Sequence, residues 1–129
     1  MDADERRYRI DRVSRAIIGA AYEVSNRLGV GFLEKVYENS LAYELRKNGF
    51  EVEQQSPICV RYCDVVVGEY LADLLVDRIV IVELKVVKAF DDIHMAQCLN
   101  YLKASSIPLC LLLNFGMARV DVKRIVNNY

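Results

Sequence analysis

Three charged residues interrupt otherwise apolar, strand-like runs: Asp73 between Tyr70 and Val76, and Glu83 and Lys85 between Ile79 and Val87. Alternation along a strand sends Ile79, Ile81, Glu83 and Lys85 to one face, so the carboxylate and the ammonium share a side. A turn at Asp77 and Arg78 would join the two runs as a hairpin, in which directly opposed residues point to the same face. With a two-residue turn, Asp73 opposes Val82 and points away from Glu83. A three-residue connection, or one bulge, sets Asp73 against Glu83 instead. The residue types at the turn permit either register.

In the second register, two carboxylates about 4 Å apart repel by about 4 kcal/mol at an effective dielectric of about 20, and Lys85 alone cannot neutralise both. A hard divalent cation resolves that imbalance, since Mg²⁺ takes one or two carboxylates, keeps several waters and binds substrate phosphate. Such an ion acidifies a bound water and polarises a phosphoryl oxygen. Lys85 would then stabilise developing charge or orient the attacking water. The plainer alternative is a Glu83–Lys85 pair on a half-exposed sheet face, worth up to about 1 kcal/mol. The apolar run before Glu83 favours an interior strand whose charged end opens into a pocket.

The elements that must position these groups follow from periodicity. From Ile10, apolar residues at Val13, Ile17, Ala20, Val24 and Leu28 recur at helical spacing, and that helix should stop at Gly29. A second helix is expected from about Phe32 to Asn48, ended by Gly49. On it Glu34, Tyr37, Leu41 and Leu45 share a stripe, so Glu34 is either a first-turn carboxylate favoured by the helix dipole or an inward functional one. Strands are expected at 50–54 and 58–63, with the break at Ser56 and Pro57. They continue at 65–67 and 70–76 across a bulge near Gly68. A third helix should begin near Asp91 as N-cap, with Phe90 and Met95 at staple spacing, and run to about Ser105. It places His94, Gln97 and Tyr101 on one stripe and Met95, Leu99 and Leu102 on the next. Residues 109–113 suit a central strand covered on both faces, and 120–126 an edge strand. The order predicts a single α/β domain over residues 1–129, with a mixed sheet and a helical crossover.

Composition narrows the function classes. The chain of 129 residues can bury a core without staples, and no apolar run reaches a membrane-spanning length, so a soluble, cytoplasmic protein without membrane association is expected. Its charged N-terminus is unlike a signal peptide. Cys59, Cys63, Cys98 and Cys110 match no paired zinc spacing and read as reduced thiols. The net charge of −1 gives no general attraction to phosphate, so nucleic-acid contact would need a local patch. Arg6, Arg7, Arg9, Arg12 and Arg15 offer one, although Asp2, Asp4, Glu5 and Asp11 dilute it towards an ordinary solvated helix face.

Asp73 followed by Glu83, Leu84 and Lys85 resembles the PD-(D/E)XK nuclease signature, with Ala72 where the pattern has proline. Gly31, Glu34 and Tyr37 resemble the motif of the bacterial GxxExxY proteins, a small-domain branch of that superfamily, and the similarity extends from about Ile10 to Val126. The resemblance implies a restriction-endonuclease-like core, a mixed central sheet flanked by helices. It implies Asp73 and Glu83 as metal ligands joined by the Leu84 carbonyl, Glu34 as a helical acidic residue beside the metal, and Lys85 acting near the attacking water. Gln97 and Tyr101 look like the Q-x-x-x-Y pair of lambda-exonuclease-like members, orienting the lysine or contacting phosphate. His94 matches the branch but has no assigned role beyond a satisfied rim histidine.

The expected function is therefore a Mg²⁺-dependent nuclease acting on DNA, with Mn²⁺ as a substitute ion. The competing class is a catalytically silent module of the same fold that binds a protein or nucleic-acid partner or self-associates, for example through Tyr8, Tyr22, Tyr43 and Tyr129.

Overall fold

The computed structural model describes residues 1–127, so Tyr129 lies outside the described residues. Helix α1 (Ala3–Leu28) starts well before Ile10, because the Asp2 carboxylate accepts the Glu5 amide at 2.8 Å and caps a first turn that the apolar stripe does not reveal. It ends at Gly29, whose φ of +70° suits glycine. Helix α2 (Glu34–Lys47) follows, two residues shorter at its start than the stripe predicts, with Leu33 at the N-cap and no side-chain cap.

Strands β1 (Val52–Tyr62), β2 (Val65–Val76) and β3 (Val80–Lys85) form an antiparallel meander. Helix α3 (Asp92–Ser105) then crosses over to β4 (Leu109–Asn114), which runs parallel to β3, and β5 (Asp121–Val126) closes the far edge antiparallel to β4. Spatial order matches chain order, β1-β2-β3-β4-β5, in one five-stranded mixed sheet. The expected break at Ser56 and Pro57 is absent. β1 is an edge strand, where a residue lacking an amide proton does not interrupt the sheet, and Pro57 simply pairs with Leu71. The local irregularity falls instead at Gln55, with φ +55°. The bulge anticipated near Gly68 is present beside it: Val60 faces Gly68 and Arg61 faces Val66, leaving Val67 as the extra residue.

Helices α1 and α2 cover one sheet face and α3 covers the other. Val80, Val82 and Leu84 of β3 enter the first core, whereas Ile81 enters the second, so β3 is buried on both faces. Ile79 packs in the first core, opposite to the face expected of it, because it belongs to the turn rather than to the strand. On α3 the buried stripe is Cys98, Tyr101 and Leu102, with Met95 and Phe90 packed against it. All four cysteines are free thiols, Cys98 and Cys110 buried and Cys59 and Cys63 exposed. No helix among the described residues is long and apolar enough to cross a membrane.

Candidate active site

The connection between β2 and β3 has three residues, Asp77, Arg78 and Ile79, since Val76 pairs with Val80. Asp77 and Arg78 both take the left-handed conformation, with φ of +49° and +58°. Asp77 is tolerated there partly because its carboxylate accepts the Glu51 amide at 2.8 Å, while Arg9 donates to the Asp77 carbonyl at 2.8 Å. One arginine of the α1 cluster thus latches the turn, and another, Arg12, lies over the Phe50 ring at 5.7 Å.

That register carries Asp73 to Glu83, and there the ladder between β2 and β3 ends, its last pair being Leu74 with Val82. Side chains replace the backbone bonds. The Asp73 amide donates to Glu83 Oε1 at 2.9 Å, and the Leu84 amide donates to Asp73 Oδ2 at 2.8 Å. The two carboxylates thereby hold the strands slightly apart. Along β2, Ala72 belongs to the second core and Leu74 to the first, so the pleat is broken at Asp73. Amide and carbonyl of one strand residue point to the same neighbour, so the Leu84 carbonyl lies on this same opened edge. The Lys85 carbonyl faces the other way and accepts the Phe115 amide at 2.9 Å.

Burial and mutual repulsion mark the cluster electrically. Glu83 is only 4% exposed, and desolvation first, with the neighbouring Asp73 charge second, pushes its pKa up to about 8. Asp73 is also raised, chiefly by burial, against the opposing hydrogen bonds from the Leu84 amide and Gln55. Lys85 lies close enough to lower both, yet it makes no ion pair within 4 Å among the described residues. Glu83 Oε2 has no hydrogen bond, and no buried side-chain polar atom among the described residues lacks a partner. That oxygen therefore reaches solvent.

Glu34 stands in the first turn of α2 and is exposed. Its pKa is raised by desolvation and then by Asp73, and lowered by Lys85, which places it at the rim of the same cluster. It does not close a cage: among the described residues no three of His, Cys, Asp or Glu stand close enough to hold a metal ion. Asp73 and Glu83 converge while Glu34 stays at the rim.

The Gly31, Glu34, Tyr37 pattern has a local cause. Gly31 takes φ +107°, and the Tyr37 hydroxyl donates to the Gly29 carbonyl at 2.6 Å and accepts the Phe32 amide at 3.3 Å. Tyr37 stacks on Phe115 at 4.8 Å, so the α1–α2 loop is pinned to the core and Glu34 is held at the cluster. On α3, Gln97 Nε2 donates to the Tyr101 hydroxyl at 2.9 Å. Tyr101 is pushed up to about 12 by burial and then by Glu83 and Asp73, so its hydroxyl keeps its proton beside them. His94 Nδ1 accepts the Asp91 amide at 3.1 Å and completes the capping box of α3, the satisfied role expected of it.

Two residues escaped the sequence reading. Glu38, 4% exposed, accepts from Lys35, Gln54 and Gln55, the two glutamines at 2.7 Å. Gln55 then reaches Asp73 Oδ1 at 3.3 Å, bridging α2 to β2. The available signal was Glu38 lying one helical turn after Glu34. Nothing in the sequence around Gln55 announces its left-handed backbone.

Comparison with known proteins follows the same lines. The sequence model of the PD-(D/E)XK nuclease superfamily matches residues 11–125. A solved structure, the crystal structure of SSO0001, superposes with a TM-score of 0.55 at 18% identity, covering 74% of this chain and 50% of that one. The chain thus spans half the length of that protein, and at this identity the likeness concerns the fold. No curated protein matches the chain.

Proposed function

The chain belongs to the PD-(D/E)XK nuclease superfamily, and from that premise we propose that it is a Mg²⁺-dependent nuclease hydrolysing phosphodiester bonds in DNA. The observation that carries this reading is the Asp73–Glu83 clasp beside Lys85, with Glu83 raised to about 8 by burial first and by the neighbouring Asp73 charge second. The donor set fits a hard cation, being oxygen only: Glu83 Oε2, Asp73 and the Leu84 carbonyl. Mg²⁺, or Mn²⁺ in its place, would supply charge neutralisation at the scissile phosphate and acidify the water beside it.

The chain's own groups do the rest. Lys85 shares the sheet face of Glu83 and directs its ammonium charge towards the carboxylates, where it orients the attacking water and offsets charge developing on the phosphoryl oxygens. Gln55, bonded to both Glu38 and Asp73, keeps the Asp73 carboxylate in its rotamer. Gln97 and Tyr101 present a hydrogen-bonded amide and hydroxyl at the α3 wall, suited to a phosphate oxygen or to steadying Lys85. Glu34, at the rim, supports water or ion positioning. Membership of the GxxExxY branch rests on Gly31, Glu34 and Tyr37 and on the pinned loop they make.

Wild-type protein with Mg²⁺ or Mn²⁺ should nick or degrade DNA, and Lys85→Ala purified in parallel should not. Equal cleavage by both would point to contamination and sink the reading. No cleavage by either, with DNA still bound, would favour the silent-module alternative.

A further inference from the structure

A cleft of about 670 Å³ runs along α3 between that helix and the β1–β2 ribbon. His94, Gln97 and Tyr101 line it beside the carboxylate cluster, and Arg61 and Lys103 also line it. Tyr70 forms a wall, half exposed, its ring 5.7 Å from that of Tyr101 and tilted by 43°. A second cleft of about 470 Å³ shares Arg61 and Lys103 with the first, so the two form one track. Among the described residues no carboxylate lines either cleft, in a chain carrying 18 Asp and Glu against 17 Lys and Arg.

These features select a narrow polyanion with flat apolar faces. Pockets of roughly 300–1,000 Å³ take a drug-sized or cofactor-sized ligand, which corresponds to a nucleotide or two and not to a duplex. A tyrosine face accepts any base by stacking, and cations spaced along a groove track phosphates. We propose that this track holds an unpaired stretch of DNA strand, stacked on Tyr70 with its phosphates at Arg61 and Lys103, and so delivers a single-stranded segment to the cluster at Lys85. The substrate class rests on the nuclease reading above, but the claim concerns binding alone.

The test is fluorescence anisotropy of a short single-stranded oligonucleotide and of its duplex, in EDTA so that no cleavage intervenes. Wild-type protein should bind the single strand more tightly than the duplex. Tyr70→Ala should weaken single-strand binding about tenfold while Tyr70→Phe retains it. Arg61→Ala and Lys103→Ala should each reduce the slope of log K against log salt by about 0.7. Equal or tighter duplex binding, no binding of the single strand, or an unchanged affinity in a Tyr70→Ala protein that melts like wild type would overturn the proposal. Failure of the nuclease reading alone would leave this binding pattern intact and appear only in the cleavage assay.

Discussion

Glu83 is the residue at which burial and chemistry conflict. Its carboxyl pKa of about 8 lies above the ordinary value of 4.5, so between those pH values the folded protein holds a proton that the unfolded chain has released. Stability therefore falls as pH rises through that window, being fullest below about 4.5 and lost by about 8 for this group. In metal-free buffer, thermal unfolding of wild type should drop towards pH 8 while Glu83→Gln stays flatter and melts higher at that pH. Parallel profiles for the two proteins would contradict the assignment. Asp73 acts in the same direction, since its shift is also upward. Cys98 and Cys110 hydrogen-bond behind these carboxylates; that bond lowers Cys98, and burial raises Cys110.

At the scale of elements, two contacts hold the site's supports in position. Gly116 lies against the segment leaving β3: a Cβ there would stand 2.5 Å from the Val87 carbonyl oxygen and 2.6 Å from its nitrogen, both backbone atoms that cannot swing aside. Gly116→Ala should cost about 1–3 kcal/mol in a denaturant titration and lower cleavage by shifting the segment after Lys85. Tyr37→Phe removes both hydroxyl bonds to the α1–α2 loop and should cost a further comparable amount, about 1–3 kcal/mol, with Glu34 less well held. An unchanged unfolding midpoint in either variant would argue against these contacts.

Elements and site were legible to different depths in the sequence, for physical reasons. Helical and alternating periodicity located all three helices, the interior strand β4 and the edge strand β5, because burial on one face or two leaves a pattern. The register at Asp73 was open because Asp77 and Arg78 carry no strong turn signal; both take left-handed φ, and Asp77 is held there by hydrogen bonds from distant Glu51 and Arg9. Pro57 misled because its meaning depends on edge position, which only the assembled sheet reveals. Glu38 and Gln55 were missed for the same reason: their partners, each other and Asp73, are remote in sequence.

For the whole molecule, a net charge of −1 means that the general field gives no attraction to DNA, so the proposed binding would depend on the local track. Binding to single strands should weaken with salt, but shallowly, with a slope of about −1 to −3, because in the proposed track Arg61 and Lys103 would make only a few phosphate contacts. A much steeper slope would bring in the α1 arginines, of which Arg9 and Arg12 are already engaged in holding the turn and Phe50. The tyrosines considered for a protein interface are partly engaged as well, Tyr22 under Arg119 at 5.9 Å and Tyr43 under Lys47 at 5.8 Å.

Calorimetric titration with Mn²⁺ at pH 7 tests the proposed cation site at Asp73 and Glu83 most directly. Wild type should bind the ion at millimolar concentration or below and release protons as Glu83 ionises, and Asp73→Asn and Glu83→Gln should each bind markedly more weakly. Wild-type protein that takes up no Mn²⁺ at millimolar concentration, or variants that bind it as well as wild type, would contradict a metal centre where β2 and β3 part.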